Sequence, residues 1–216
     1  MVNAQKRIVL LNGPPRSGKD TAASHLVPYF AFQKMKFAAP LKRAVAGLLD
    51  MSVTALEEHK DNQFNILSKE SYVEIDNYGT KRTEYGPKDA PRRLLIDLSE
   101  SFLKPKYGDT FFGRLATREI NRSSYNLIIF TDSGFATEAS VITRLYRREN
   151  VLLVRLHREG CTFENDSRSY LQDIAGHEVD VDNNGSLSHL TGKVARAITK
   201  SFGIEPSKEI ELHDDR

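Results

Sequence analysis

Short, continuous apolar runs alternate along the chain with segments whose apolar residues recur every three or four positions. The runs at 8–11, 127–130 and 151–154 contain no polar alternation, which is typical of parallel strands that are buried on both faces. We predict strands at 7–12, 34–37, 126–131, 151–156 and 177–182.

The segments between the predicted strands have the spacing of amphipathic helices. In one of them, Leu94, Leu95, Leu98 and Phe102 fall on one helical face. We predict helices at 19–31, 40–49, 52–60, 89–103, 109–122 and 135–149, and a last helix after residue 185. The alternation predicts an α/β fold: an open, mostly parallel sheet with helices on both faces and a ligand crevice at the carboxyl ends of the strands.

A polar hairpin at 72–85 interrupts this alternation. Two short stretches flank Asp-Asn-Tyr-Gly at 76–79, a sequence that favours a tight turn. We therefore interpret about 38–105 as an insertion on the substrate side of a single domain that covers 1–204. The polar and charged residues 205–216 predict a loosely ordered tail.

Composition narrows the function classes. The 216 residues carry a net charge of +2 and no long basic block, so direct nucleic-acid binding is not expected. Cys161 is the only cysteine and the six histidines have no metal-site spacing, which fits a reducing cytoplasm. The apolar run near the N-terminus is too short for a signal peptide or a membrane span, so no membrane association is expected.

The residues that follow the first predicted strand read Gly-Pro-Pro-Arg-Ser-Gly-Lys-Asp-Thr, at 13–21. This is a G-x-x-x-x-G-K phosphate-binding loop at a strand–helix junction. Gly13 and Gly18 permit backbone angles that turn several N–H groups toward one point, where the following helix adds its positive end. Lys19 supplies an ammonium to a β- or γ-phosphate. The predicted ATP-binding residues of this loop are Gly13, Pro14, Pro15, Arg16, Ser17, Gly18, Lys19, Asp20 and Thr21.

Asp20 stands where most such loops carry serine or threonine, whose hydroxyl binds Mg²⁺. Two interpretations stay open: Asp20 holds magnesium, directly or through water, or it stabilises the positive end of the helix. Thr21 can still donate to an α- or β-phosphate. In either case the metal is held differently from the metal of a G-K-S/T loop.

Asp132 directly follows the predicted strand 126–131, at the same sheet edge as the phosphate loop. A carboxylate there holds magnesium or its water, or orients the nucleophile. The alternative is a cap for the helix predicted at 135–149. We favour the functional role because the two strand ends meet at one edge, and we predict Asp20 and Asp132 as the metal-binding residues.

Phosphoryl transfer requires positive charge around the phosphates. Arg16 lies within the loop itself. Lys42, Arg92 and Arg93 stand near predicted helix starts, where an anion is already favoured. For each arginine the alternative is a solvated surface side chain; we favour function for Arg16 and for the Arg92–Arg93 pair.

The segment 157–172 contains Gly160 and resembles a closing lid. Arg155 precedes this segment, and Arg158 and Arg168 lie within it on either side of Gly160. For Arg158 and Arg168, which we include among the catalytic candidates, a surface role and a catalytic role are equally open.

Asn183, Asn184 and Gly185 follow the last predicted strand. Asn-Gly sequences suit tight turns, which explains them without any ligand. The turn also stands at the sheet edge where a nucleotide base can rest, so both interpretations stay open.

Taken in order, these segments resemble the deoxynucleoside monophosphate kinases of tailed bacteriophages, a branch of the P-loop nucleoside monophosphate kinases. The loop at 13–21, with its unusual Lys-Asp-Thr, is the most specific segment. The other segments are Phe-Ala-Ala-Pro-Leu-Lys at 37–42, Ala-Pro-Arg-Arg-Leu-Leu at 90–95, Gly-Asp-Thr-Phe-Phe at 108–112, Thr-Asp-Ser-Gly-Phe-Ala-Thr-Glu-Ala at 131–139 and Asp-Asn-Asn-Gly-Ser-Leu at 182–187.

The resemblance implies transfer of the γ-phosphoryl group of ATP, with Mg²⁺, to a deoxynucleoside 5′-monophosphate for viral DNA synthesis in the host cytoplasm. The implied roles are binding of the transferring phosphates by Lys19 and Arg16, acceptor binding by Lys42 and Arg92 or Arg93, metal binding by Asp132, and closure over the donor by Arg158 and Arg168. The implied partners are small-molecule nucleotides, and a homodimer is left open.

One departure from this family puts acceptor affinity or catalysis in doubt. Its members often read Asp-Val-Arg-Phe-x-Asn-Glu after the strand, whereas 132–138 read Asp-Ser-Gly-Phe-Ala-Thr-Glu without the arginine. Two alternatives therefore stay open. One is a nucleotide-binding regulatory protein without turnover. The other is a kinase of another small phosphorylated acceptor, since phosphomevalonate kinases also use a Gly-Lys-Asp loop.

Overall fold

The computed structural model describes residues 6–62, 73–75, 81–83, 90–164 and 166–210. In chain order the elements are β1 (Arg7–Asn12), α1 (Lys19–Leu26), β2 (Phe32–Met35), α2 (Ala39–Leu48), α3 (Val53–His59), β3 (Val73–Ile75), β4 (Lys81–Thr83), α4 (Pro91–Ile96), a π-helical stretch (Asp97–Leu103), α5 (Lys104–Tyr107), α6 (Phe111–Arg122), β5 (Leu127–Ser133), α7 (Ala136–Tyr146), a 3₁₀ turn (Arg148–Asn150), β6 (Val151–His157), β7 (His177–Asp182) and α8 (Leu187–Phe202).

Five strands form one sheet in the order β2-β5-β1-β6-β7, and all neighbouring pairs are parallel. Ile8 of β1, for example, pairs with Ile128 of β5 and with Val151 of β6. The predicted open, parallel α/β sheet is therefore confirmed. Because β1 is the central strand, the loop that follows it leaves the sheet between the carboxyl ends of β5 and β6.

Alternate residues of β1 face two different helical layers. Val9 and Leu11 are fully buried in a cluster with apolar residues of α1 and α8. Ile8 and Leu10 are fully buried in a second cluster with apolar residues of α6 and α7. Each side chain of this size contributes about 1.5–3 kcal/mol on burial, so both layers hold the central strand, and the loop after it, in place.

The chain divides into two compact units. The first, which we call the core unit, comprises Met1–Ala38 and Asp109–Arg216 and contains the five-stranded sheet. The second, the inserted unit, is Ala39–Gly108 and contains α2 to α5 with the π-helical stretch.

The inserted unit also contains the hairpin strands. β3 and β4 pair antiparallel, with Val73 opposite Thr83 and Ile75 opposite Lys81, in agreement with the predicted hairpin. The predicted turn at 76–79 lies outside the described residues.

Several element boundaries differ from the prediction. The helix predicted at 89–103 is divided into α4 and the π-helical stretch and continues as α5, and the helix predicted at 135–149 ends at Tyr146. α1 ends at Leu26 rather than at 31, because Pro28 has no N–H with which to continue the helical hydrogen bonds. β2 begins two positions earlier than predicted, at Phe32. β5 extends to Ser133, so Asp132 lies inside the strand rather than after it.

Candidate phosphate-binding site

The loop between β1 and α1 depends on two glycines. Gly18 precedes α1 with φ of 95°, in the left-handed region that disfavours other residues. A Cβ on Gly18 would lie 2.5 Å from Nδ2 of Asn183, and a Cβ on Gly13 would lie 2.7 Å from the carbonyl oxygen of Leu156. The loop backbone therefore lies directly against the ends of β6 and β7, where no larger residue fits.

Lys19, the first residue of α1, is only 9% exposed. Its ammonium donates to the carbonyl oxygens of Gly13 and Pro14, at 2.7 and 2.6 Å, and to Oγ of Ser17 at 3.3 Å. Burial, and secondly the charge of Arg168, lower the pKa of Lys19 to about 8 against the opposing effect of three aspartates. A buried cation whose contacts are neutral oxygens gains strongly from an incoming anion such as phosphate.

The turn after β7 supports the loop from the side. Asn183 is buried; its Nδ2 donates to the carbonyl oxygen of Ser17 at 2.9 Å, and its N–H donates to that of His157 at 2.8 Å. Oδ1 of Asn184 accepts from the N–H of Glu159 at 2.8 Å. Asn183 thus holds the phosphate loop itself, a role that the turn sequence alone did not indicate.

Most of the remaining residues of the two predicted ATP-binding segments are exposed. Pro15, Arg16, Thr21 and Gly185 are exposed. Pro14 is buried at the start of the loop. Arg16 has a positive φ of 65°, which is uncommon for a residue with a side chain and marks a tight bend in the middle of the loop.

Asp20 is held by two neighbours at the carboxyl edge of the sheet. Its Oδ1 accepts from Oγ1 of Thr131 at 2.9 Å and lies 2.9 Å from Nζ of Lys36. Burial would raise the pKa of Asp20, but the hydrogen bond and charge of Lys36 bring the net pKa below its ordinary value. Sequence reasoning missed Lys36 because the predicted second strand, at 34–37, included it; in the structure Lys36 directly follows β2.

Asp132 contacts the segment that leads out of β2. Its Oδ1 accepts from the N–H of Phe37 at 2.8 Å and its Oδ2 from that of Ala38 at 3.0 Å. The carboxylate therefore fixes the entry to α2. This contact belongs to neither role considered from sequence, the favoured metal role or the alternative cap for the helix that follows β5.

Asp20 and Asp132 provide the type of ligand that a magnesium ion shared with a nucleotide would need. Mg²⁺ prefers oxygen ligands and is commonly held by one or two carboxylates together with substrate phosphates. Asp20 and Asp132 both act electrostatically on Lys19, which places them beside the loop. Among the described residues no group of three or more histidine, cysteine or acidic side chains could hold a metal alone. Ser133 adds a buried hydroxyl group that has no hydrogen-bond partner among the described residues.

Asn12 connects the sheet to the predicted lid, and sequence reasoning treated it only as a strand end. It is fully buried, and its Nδ2 donates to the carbonyl oxygens of Ser133 at 2.8 Å and Ser169 at 3.0 Å. Its Oδ1 accepts from the N–H of Leu171 at 2.9 Å. A polar residue that closes an apolar strand was the available signal.

The three arginines around the predicted lid have different environments. Arg168 forms a two-point ion pair with Asp166, at 2.8 and 2.5 Å, and its charge acts on Lys19. Arg158 is exposed, and its Nη1 lies 3.4 Å from the carbonyl oxygen of Arg16, within the loop. Arg155 pairs with carboxylates of β7 instead.

The predicted acceptor-binding residues all lie in the inserted unit, and each contacts a carboxylate there. Lys42 pairs with Glu57 of α3, Arg92 pairs with Asp61 and Arg93 pairs with Asp97. Burial would raise the pKa of Glu57, but hydrogen bonds from Lys42 and Lys60 lower it to about 2. An acceptor phosphate would therefore compete with these carboxylates.

Comparisons with known proteins give only distant likenesses. No protein-family model matches the chain, and no curated protein matches it in sequence. Solved structures similar to it include a sugar kinase from a Janibacter species (10% identity, 89% of this chain and 94% of that chain, TM-score 0.47). Another is TT1252 from Thermus thermophilus (14% identity, 91% and 98%, TM-score 0.45). A third is thymidylate kinase from Candida albicans (12% identity, 94% and 96%, TM-score 0.41).

At TM-scores of 0.41 to 0.47 and identities of 10 to 14%, these likenesses are too distant to assign an activity or a substrate. Among the described residues, no helix is both long enough and apolar enough to cross a bilayer.

Proposed function

We propose that this protein transfers the γ-phosphoryl group of ATP to a deoxynucleoside 5′-monophosphate, giving ADP and a deoxynucleoside diphosphate for bacteriophage DNA synthesis. The observation that carries the nucleotide-binding part is Lys19, buried within a glycine-dependent loop with a pKa lowered to about 8. The acceptor class is supported by the sequence resemblance alone.

In this proposal the chain's own residues act mainly by positioning, as phosphoryl transfer requires. Lys19 exchanges its contacts with Gly13 and Pro14 for the β- and γ-phosphates, and the loop N–H groups bind the same oxygens. Arg16, Arg158 and Arg168 add positive charge around the transferred group.

The metal and the acceptor complete the proposed site. Asp20 and Asp132 would hold Mg²⁺, which when bound neutralises phosphate charge. Lys42, Arg92 and Arg93 would bind the acceptor phosphate.

A second candidate function is nucleotide binding without turnover. The ion pairs of Lys42, Arg92 and Arg93 favour it, because each acceptor cation already has a carboxylate partner. Gly134, at the position where the resembled kinases carry arginine, favours it as well.

A coupled assay of ADP release with dAMP, dGMP, dCMP, dTMP and hydroxymethyl-dCMP separates the two functions. The kinase proposal expects turnover with at least one acceptor and loss of that turnover in EDTA. ATP binding without ADP release from any acceptor would support the non-catalytic function and contradict the kinase.

A further inference from the structure

Gly134 directly follows β5 and is buried, and the stem of Arg168 fills the space where a side chain would stand. A Cβ at position 134 would lie 2.6 Å from both Cγ and Cδ of Arg168, and 2.8 Å from its Cβ. Carbon atoms do not approach so closely in a packed interior. The stem therefore keeps this path only because residue 134 is glycine.

The backbone around this contact is fixed to the central strand. The N–H of Ser169 donates to the carbonyl oxygen of Gly134 at 3.3 Å. Asn12 bonds Ser133 on one side of the contact, and Ser169 and Leu171 on the other. Since Asn12 is the residue before the phosphate loop, the segment that bears Arg168 is joined to the start of that loop.

The guanidinium of Arg168 is oriented at its far end as well. Asp166 accepts from its Nε at 2.8 Å and from its Nη2 at 2.5 Å. Its charge is near enough to lower the pKa of Lys19, and Asp20, Asp132 and Asp166 oppose that effect. The aliphatic stem of Arg168, the backbone of its segment and its guanidinium are thus all held at the carboxyl edge of the sheet.

We propose that Gly134 is a positioning residue, which admits the stem of Arg168 so that its guanidinium serves as a phosphate-binding cation fixed to the sheet. This inference rests on the proposed nucleotide binding. The guanidinium at the end of β5 is then supplied by residue 168, because residue 134 is a glycine and has no side chain.

The test is ATP binding, measured by calorimetry, to the full chain and to Gly134→Ala, Arg168→Met and the double variant. Each single variant should bind ATP about tenfold more weakly, the lower end expected for the loss of a charged hydrogen bond. The double variant should bind within about twofold of the single variants, because both changes remove the same interaction. Wild-type affinity in Gly134→Ala, or losses that multiply in the double variant, would overturn the proposal.

Gly176→Ala is the matched control. A Cβ there would lie 2.6 Å from the carbonyl oxygen of Arg148, a comparable clash in a loop that precedes β7. This variant should bind ATP like the wild type. A loss equal to that of Gly134→Ala would show that crowding, rather than Arg168, causes the effect, and would overturn the proposal.

The NMR resonance of the Arg168 Nε–H group is a further readout, and general destabilisation of the protein does not produce the same change. It is assigned from its absence in Arg168→Met. It should shift when ATP is added to the wild type and should not shift in folded Gly134→Ala. An unchanged response in Gly134→Ala would overturn the proposal.

If Gly134→Ala does not fold, Gly134→Ala/Arg168→Gly should fold, because removal of the stem opens the space that the new methyl group needs. Failure of this double variant, with Arg168→Gly alone folded, would place the clash elsewhere and overturn the proposal. The failure of this inference can be distinguished from the failure of the proposed kinase function. Loss of ATP affinity in Gly134→Ala supports the inference even without turnover, and turnover with an unaffected Gly134→Ala contradicts the inference alone.

Discussion

Lys19 of the core unit and the three predicted acceptor-binding cations of the inserted unit differ in what they contact. Lys19 is buried against two carbonyl oxygens and a hydroxyl, and its pKa is lowered to about 8. Lys42, Arg92 and Arg93 contact carboxylates instead.

Because of this difference, the free energy gained when a phosphate binds should differ between the two places. At Lys19 the fold holds a charge that burial disfavours, so an anion that arrives there relieves an existing cost. At Lys42, Arg92 and Arg93 the charge already has a carboxylate partner, so an anion has to replace that carboxylate and the net gain is smaller. We therefore expect the phosphate loop to dominate affinity, and the inserted unit to affect the acceptor only.

The largest effect is expected for Lys19→Met. Loss of the ammonium should weaken ATP binding about 100-fold, which corresponds to roughly 3 kcal/mol for a charged hydrogen bond in a buried site. Calorimetry or equilibrium dialysis measures it. Lys200→Met, on the exposed side of α8, is the matched control and should bind ATP like the wild type. Equal ATP affinity of Lys19→Met and the control would contradict the claim that Lys19 dominates ATP binding.

Gly18→Ala should weaken ATP binding about 30-fold. The left-handed backbone and the blocked Cβ position together make the binding conformation of the loop about 2 kcal/mol less favourable. The blocking atom is Nδ2 of Asn183. Gly203→Ala is the control: Gly203 has φ of 64° but nothing within 4 Å of its Cβ position. It should lower the melting temperature without changing ATP affinity. Weaker ATP binding in the control would show that strain alone, and not the shape of the loop, determines affinity.

The pH dependence of ATP binding should report the pKa of Lys19. Because that pKa is about 8, the free protein loses the ammonium above it. ATP affinity should then fall about tenfold between pH 7 and pH 9.

Stability should change in the opposite direction. The pKa of Lys19 is about 8 in the fold against an ordinary 10.5, so between these values the unfolded chain binds more protons. The free energy of unfolding therefore rises with pH across this window, through this residue. Lys19→Met should lack both trends in titrations by calorimetry and chemical denaturation; their persistence would contradict the assigned pKa.

The smallest effects are expected in the inserted unit. If Lys42 binds the acceptor, Lys42→Met should raise the KM for the deoxynucleotide about fivefold, and Glu57→Gln should lower it about threefold by releasing Lys42. The KM for ATP should not change in either variant. Lys106→Met, in α5, is the control and should leave both KM values as they are. No change in any of the three variants would remove Lys42 from the acceptor site.

The sheet and the phosphate loop were readable from sequence because their signals are local. The apolar runs at 8–11, 127–130 and 151–154 mark buried strands, and the glycine spacing at 13–18 marks the loop. Strand ends and helix ends were less readable: α1 stops early at Pro28, and Asp132 lies inside its strand.

The partners of the site residues could not be read from sequence, because they depend on long-range pairing. Asn12 reaches residues 133, 169 and 171, and Asn183 reaches Ser17. The contact of Gly134 with Arg168 joins residues that are distant in the chain. Only the sheet order, with β5 beside β1, brings these residues to one edge.

The most direct test is an amide NMR titration of the ¹⁵N-labelled protein with ATP. The account predicts that the amides of Gly13 and of Arg16 to Thr21 shift first and most; Pro14 and Pro15 have no N–H to observe. The amides of Tyr29 and Tyr125, which line a cavity of about 470 Å³ at the amino end of the sheet, should stay unchanged. Saturable shifts at Tyr29 and Tyr125 with unmoved loop amides would contradict it.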